Sequence, residues 1–350
     1  MEDRRSPRKN LTKLSLILFT AAFVLSMASM LTYAAGKAVI VEDSKTEDTV
    51  EEEKVQVYSH TLDLGSVTQS SAPGDVVLKC PAMPSYDNVS IEQRYDKNLV
   101  NLTWSGNHGE YFLDNTPSGK MSHVKKLTVS DDGDSVTFSF SLDEMCICDA
   151  TYKNREVILD FTPINEKETV VAVDADHGGS SNGIMVGNLK EKDILMALAD
   201  KIERLSKDRN YRVVLLRTGD YDLSDKERLS LCEKLGADYY LGLHAAVDSA
   251  DERTYGMRAE YNGLLYREGI SNAEFADLIL RNACMSVSNR GVELKDDFED
   301  EILGKLTVPA ANLSVGYMSN KDEASLLTNG TYISKMAEGI LEGLDKALRK

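Results

Sequence analysis

This chain is short of positive charge. Lys and Arg number 40 against 57 Asp and Glu, a formal net charge of −17 over 350 residues. A general nucleic-acid binder needs a basic footprint, so that class is excluded. Cysteine is scarce too: Cys80, Cys146, Cys148, Cys232 and Cys284. The number is odd, which leaves at least one thiol unpaired. No C-x-x-C spacing exists, which excludes a thiolate zinc module. Cys232 and Cys284 fall in helical patterns and read as small buried apolar residues. Apolar residues are not lacking. At 42% hydrophobic and 28% charged the composition excludes a wholly disordered or fibrous chain. The length suits two domains.

The first 35 residues hold five of the cations, Arg4, Arg5, Arg8, Lys9 and Lys13, against Glu2 and Asp3. Leu14 to Tyr33 then reads LSLILFTAAFVLSMASMLTY, without a charge and long enough to span a bilayer as a helix. Cations ahead of such a run keep the N-terminus in the cytoplasm and send the rest across. Small residues Ala34, Ala35 and Gly36 follow, as at a signal-peptidase site. Residues 1–36 are therefore a cleaved signal peptide or an uncleaved membrane anchor. In either case the body is extracytoplasmic, secreted or anchored at the cell envelope, and touches membrane only through this segment. Residues 37–54 are acidic and low in aromatics, a solvated linker.

Residues 55–163 alternate and turn. VVLKC (76–80), NLVNLTW (98–104), VKKLTV (124–129), SVTFSF (135–140) and REVILDF (155–161) are rich in β-branched and aromatic residues. Turn signals separate several of them. This predicts a small all-β, sandwich-like domain. Its histidines, His60, His108 and His123, have no carboxylate at ligand spacing and read as surface residues. From 168 to 350 strands alternate with helices. ETVVAVDA (168–175), YRVVLLR (211–217), DYYLGLH (238–244), MRAEYN (257–262) and AANLSVGYM (310–318) read as strands. Helices lie between them, two opened by Ser224-x-x-Glu227 and Ser271-x-x-Glu274. That is an α/β domain with a largely parallel sheet flanked by helices, whose site gathers at the carboxyl ends of the strands.

Polar residues stand at those ends. Asp176-His177-Gly178-Gly179 follows the first strand, Glu191 begins the first helix and His244 ends DYYLGLH. Two imidazoles and a carboxylate, with a fourth position left to water, make a catalytic zinc set. Singly each has a plainer explanation. A histidine at a strand end is more often a hydrogen-bonded edge residue, and Glu191 suits the first turn of any helix.

The order VAVDADHGG, NLKEKD, RTGDYDLSDKER, ADYYLGLHAA, NRGVEL, VPAANLSVGYMSN resembles the zinc-dependent N-acetylmuramoyl-L-alanine amidases of the type-3 family, over about half the chain. The resemblance implies that His177, Glu191 and His244 bind Zn²⁺. It also implies peptidoglycan as substrate, with hydrolysis of the amide between N-acetylmuramic acid and L-alanine. The β-rich region is similar in position and rhythm to the AMIN domain of such enzymes. Arg290, in Arg290-Gly291-Val292, matches a family segment beside the groove and is a candidate for a stem-peptide carboxylate, with a structural ion pair as the alternative. Arg228 reads as structural.

The pattern breaks at the chemistry. The family glutamate, two residues before the glycine of Gly316-Tyr317-Met318-Ser319-Asn320, is here Ser314, which is no base at neutral pH without activation. The usual Pro-Gly before the first histidine is Ala175-Asp176, and Asp176 is a candidate substitute base. The expectation is an impaired zinc amidase. The alternative is a degenerate one that binds peptidoglycan or regulates a true amidase, with a cell-division or regulatory protein as partner.

Overall fold

The structure is a computed structural model describing residues 58–164, 168–264 and 269–349. The basic tip, the apolar run and the acidic linker lie outside the described residues. Among those residues no helix is long and apolar enough to cross a membrane.

The first part is built of antiparallel strands. Tyr58–Leu62 (β1), Val89–Arg94 (β3), Leu99–Ser105 (β4), Val124–Asp131 (β5) and Ser135–Leu142 (β6) form one sheet in the order β1-β5-β6-β4-β3. Val76–Lys79 (β2), Cys146–Lys153 (β7) and Glu156–Pro163 (β8) form a second, ordered β2-β8-β7. Alternation sets the faces. In β6, Val136, Phe138, Phe140 and Leu142 turn inward while the serines and threonine between them stay half-exposed. Val76, Leu78, Val157 and Leu159 of the second sheet share a core with Leu102, Trp104 and Phe138 of the first. The sandwich-like region expected from the sequence is present. Its β1 and β3 were not read as strands, because YSHTL and VSIEQR mix polar residues into short runs.

The second part is a six-stranded sheet. Its strands are Val170–Ala175 (β9), Arg212–Leu215 (β12), Tyr239–Ala246 (β13), Met257–Tyr261 (β14), Gly291–Asp296 (β15) and Ala310–Tyr317 (β16), in the order β12-β9-β13-β16-β14-β15. Met185–Val186 (β10) and Leu189–Lys190 (β11) make a small separate hairpin. β12, β9, β13 and β16 run parallel, whereas β14 is antiparallel to β16 and carries β15 parallel to itself. The sheet is therefore mixed at one side. The sequence announces neither β15 nor the short helix Lys321–Leu327.

All six residues of β9 are buried, as expected of a strand covered on both faces. Val171 and Val173 join a core with helices Glu191–Leu205 (α1), Asn272–Val287 (α3) and, beyond Lys321–Leu327 (α4), Gly330–Ala347 (α5). Val170 and Ala172 face the other way, toward Leu231 and Cys232 of Asp225–Lys234 (α2). The Ser224–Glu227 capping box forms as expected, with both reciprocal bonds present.

Val55–Lys350 is one compact unit. The seam between its two parts is polar and apolar together. Tyr221 donates its hydroxyl to the Gln93 carbonyl at 2.8 Å, and the Gln93 N–H donates to Thr218 Oγ1 at 2.6 Å. Asp149 of β7 pairs with Lys207 at 3.0 Å and Arg212 at 2.7 Å. Tyr95 packs among Leu216, Leu223 and Leu231. All five cysteines are free. Burial pushes the thiols of Cys232 and Cys284 up to about 12 and about 11, so both are inert fillers.

Candidate functional site

β9, β13 and β16 end side by side, and their last residues make the site. β9 runs out at Ala175, so Asp176 and His177 emerge at its carboxyl end. His177 adopts a left-handed backbone, φ 63°, followed by Gly178 at φ 140° and Gly179 at φ 54°. Gly178 passes so close to the Tyr221 carbonyl that a Cβ would overlap it. The turn is tied from below by the buried Arg217, whose Nε donates to the Ala175 carbonyl at 3.1 Å and whose guanidinium reaches the Lys192 carbonyl at 3.2 Å.

Glu191 is the first residue of α1 and is 2% exposed. Its Oε2 accepts from the Ile184 N–H at 2.8 Å and its Oε1 from the Ala245 N–H at 2.6 Å. The carboxylate thus clamps the start of α1 to the end of β13. Oε2 also stands 3.3 Å from His177 Nε2. Burial pushes the Glu191 carboxyl up, but His177 and the two main-chain donors outweigh it and hold it below its ordinary range. Gly183, at φ 64°, leaves this contact its space, since a Cβ there would lie 2.6 Å from Glu191 Oε2. Nothing in the sequence distinguished it from other loop glycines.

Asp176 occupies the middle of the constellation. Its Oδ2 lies 3.4 Å from His177 Nε2 and 3.3 Å from His244 Nδ1. Its Oδ1 accepts from the His177 N–H at 2.8 Å and pairs with Arg228 at 3.2 Å. Burial pushes this carboxyl up, but His244, Arg228 and His177 together hold it well below the carboxylate range. Asp176, the candidate substitute base expected from the sequence, is thus paired through both of its oxygens. The imidazoles respond in turn. The Glu191 contact raises His177, and at His244 the Asp176 contact overcomes the opposing effect of burial. Arg228 is structural as read: it is 1% exposed and ion-paired to Asp174, which also accepts from Tyr240 at 2.9 Å. It orients Asp176 besides.

Ser314 lies on β16 in register with His244 on one side and Arg258 of β14 on the other. It is 4% exposed, and Arg258 Nε approaches its Oγ at 3.4 Å. Arg258 carried no signal in the sequence, because only the reversal of β14 brings it opposite Ser314. Arg290 is two strands over, at the entry to β15. It is exposed, stacked 4.0 Å over the Tyr255 ring, and its Nε meets the Tyr255 carbonyl at 3.4 Å. The structure therefore gathers Asp176, His177, Glu191, His244 and Ser314, and leaves Arg290 on the rim of the same sheet end.

A tetrahedral zinc ion with bonds of about 2.0–2.1 Å sets neighbouring ligand atoms about 3.3 Å apart. Glu191 Oε2 and His177 Nε2 meet that spacing. His244 does not complete it: His177, Glu191 and His244 are not a group whose ligand atoms all lie within 4.8 Å of one another. The Asp176 oxygen stands between the two imidazoles instead. As arranged, the three residues do not fit the ion. Among the described residues, His123, Asp143 and Glu144 in the β-rich part place their ligand atoms within 4.8 Å of one another and so could hold a metal. Pairing of β5 with β6 brings these carboxylates to 3.5 and 3.1 Å from His123 Nδ1, a closeness that sequence spacing did not disclose.

A histidine–carboxylate constellation at the carboxyl ends of an α/β sheet is the class that this fold and site define. The pattern of the N-acetylmuramoyl-L-alanine amidase family matches residues 171–346, and the chain belongs to that family. It is 26% identical over 185 residues to the uncharacterized protein YqiI of Bacillus subtilis, spanning 52% of this chain and 85% of that one. It is 25% identical over 190 residues to the germination-specific N-acetylmuramoyl-L-alanine amidase of the same organism, spanning 50% and 78%. Among solved structures, an N-acetylmuramoyl-L-alanine amidase from Clostridium difficile 630 is 26% identical, covering 53% of this chain and 99% of that one, with a TM-score of 0.48.

Proposed function

We propose that this chain is an extracytoplasmic, peptidoglycan-directed member of the amidase family that recognises its polymer but hydrolyses the N-acetylmuramoyl–L-alanine amide slowly or not at all. The observation that carries the reading is Ser314. The strand position in register with His244 holds a hydroxyl facing the Arg258 guanidinium, where the resemblance to the family implies a carboxylate. Amide hydrolysis needs a group that takes a proton from water and returns it to the leaving amine, and losing it costs about 10²–10⁴-fold. Asp176 is too firmly paired to take over. What the chain keeps is the cluster of polar residues at the strand ends, with Arg290 on the rim of the same sheet end, suited to a stem-peptide carboxylate. The β-rich part is proposed as an AMIN-like wall-directed module and residues 1–36 as the export or anchoring segment. A regulatory role toward a competent amidase follows if both bind the same strands.

The test pairs two measurements on the purified chain. Sedimentation with insoluble peptidoglycan should retain it. Muropeptide digestion should run at least about 10²-fold below a family enzyme that has the glutamate. Digestion at the full rate would overturn the reading.

A further inference from the structure

We infer that the Asp176 carboxylate takes the place of the metal ion, so that the family's zinc site is filled by the chain itself. The inference rests on the geometry around Asp176 and not on the Ser314 reading. Directly ahead of His177 this chain has a carboxylate whose Oδ2 lies within 3.4 Å of both imidazoles. One nitrogen of each imidazole faces carboxylate oxygen, and the other nitrogen of His177 meets the Ser181 hydroxyl at 3.0 Å. His177 Nε2 meets Asp176 and Glu191, and His244 Nδ1 meets Asp176. The carboxylate is not free to swing away. Its other oxygen holds the His177 N–H at 2.8 Å and the Arg228 guanidinium at 3.2 Å, and Arg228 is buried and fixed by Asp174 and the Leu223 carbonyl. Glu191 is likewise held in place, each oxygen accepting one main-chain N–H. An anion between two imidazoles gives the favourable contacts that a cation would otherwise supply, and the constellation stays ordered without the ion.

The inference makes a signed prediction. Zinc binding is measured by calorimetry and by metal content after gel filtration, in a His123→Ala background so that the cluster in the β-rich part does not contribute. The parent chain should retain well under one equivalent of zinc. Asp176→Gly should retain about one equivalent, with affinity raised at least about 10-fold, and its melting temperature should rise with added zinc while that of the parent does not. Asp176→Ala, which adds no backbone freedom, serves if the glycine variant does not fold. One tightly held zinc in the parent would overturn the inference: weakened binding on removing Asp176 would make it a fourth ligand, and unchanged binding would leave it a bystander. Peptidoglycan takes no part in these readouts, so failure here leaves the wall-binding reading standing, and failure of the sedimentation assay leaves this one standing.

Discussion

Ser314 and Asp176 act on the same chemistry from two sides. On the proposed function the first removes the proton acceptor, and on the further inference the second puts a carboxylate where the ion would sit. Restoring one without the other should therefore achieve little. Ser314→Glu alone should leave muropeptide hydrolysis at the wild-type level, with the new carboxylate drawn to Arg258. The double variant Asp176→Gly/Ser314→Glu should raise hydrolysis by about 10²-fold or more, read as released peptide per unit time. A comparable gain from the single variant would show that the base was the sole deficit and that Asp176 is harmless. At this scale the sequence was informative wherever a residue departs from a pattern. Ser314 and Asp176 both stood out that way. Gly183 and Arg258 did not, because what matters about them is a neighbour distant in the chain: the Glu191 side chain for one, a reversed strand for the other.

Among the elements, those with a local cause were legible. α2 begins where Ser224 and Glu227 cap each other, and β6 alternates because one face is buried. Removing the cap hydroxyl with Ser224→Ala should lower stability by about 1 kcal/mol, read from the denaturant midpoint at unchanged slope, without altering peptidoglycan retention. The elements missed were those whose cause lies elsewhere. β15 is a strand because β14 offers it an edge; the alternation Val292-Glu293-Leu294-Lys295 in GVELKD is only four residues long, too short to announce it alone. β14 was read as a strand, but its reversed direction is a matter of chain routing, to which composition is blind. The hairpin of β10 and β11 is two residues a side, too short to carry a period.

For the whole molecule, the seam between the sandwich-like part and the α/β part is the feature least expected. Asp149 sits in that seam with Lys207 and Arg212. Burial pushes its carboxyl up, and the two cations more than offset this and hold it below the ordinary range. A depressed folded-state value means the pairing stabilises above the unfolded-state value of about 3.9 and is lost as pH falls through the folded-state value. Between about pH 5 and pH 2 the wild type should therefore lose more stability than Asp149→Asn, by about 1 kcal/mol or less given the partial exposure, as followed by urea midpoints across that range. Equal loss in both would mean that the pair does not couple the parts. By itself the sequence determined the two architectures, most of the core strands, and which polar residues end them. Those follow from periodicity, caps and turns, whose range is a few residues. Only the tertiary structure decided that a carboxylate stands between the two imidazoles, that Arg258 faces Ser314, and that the two parts share one compact unit. Each of these depends on chain segments far apart in sequence meeting at distances of about 3–4 Å, where hydrogen bonds and ion pairs are made.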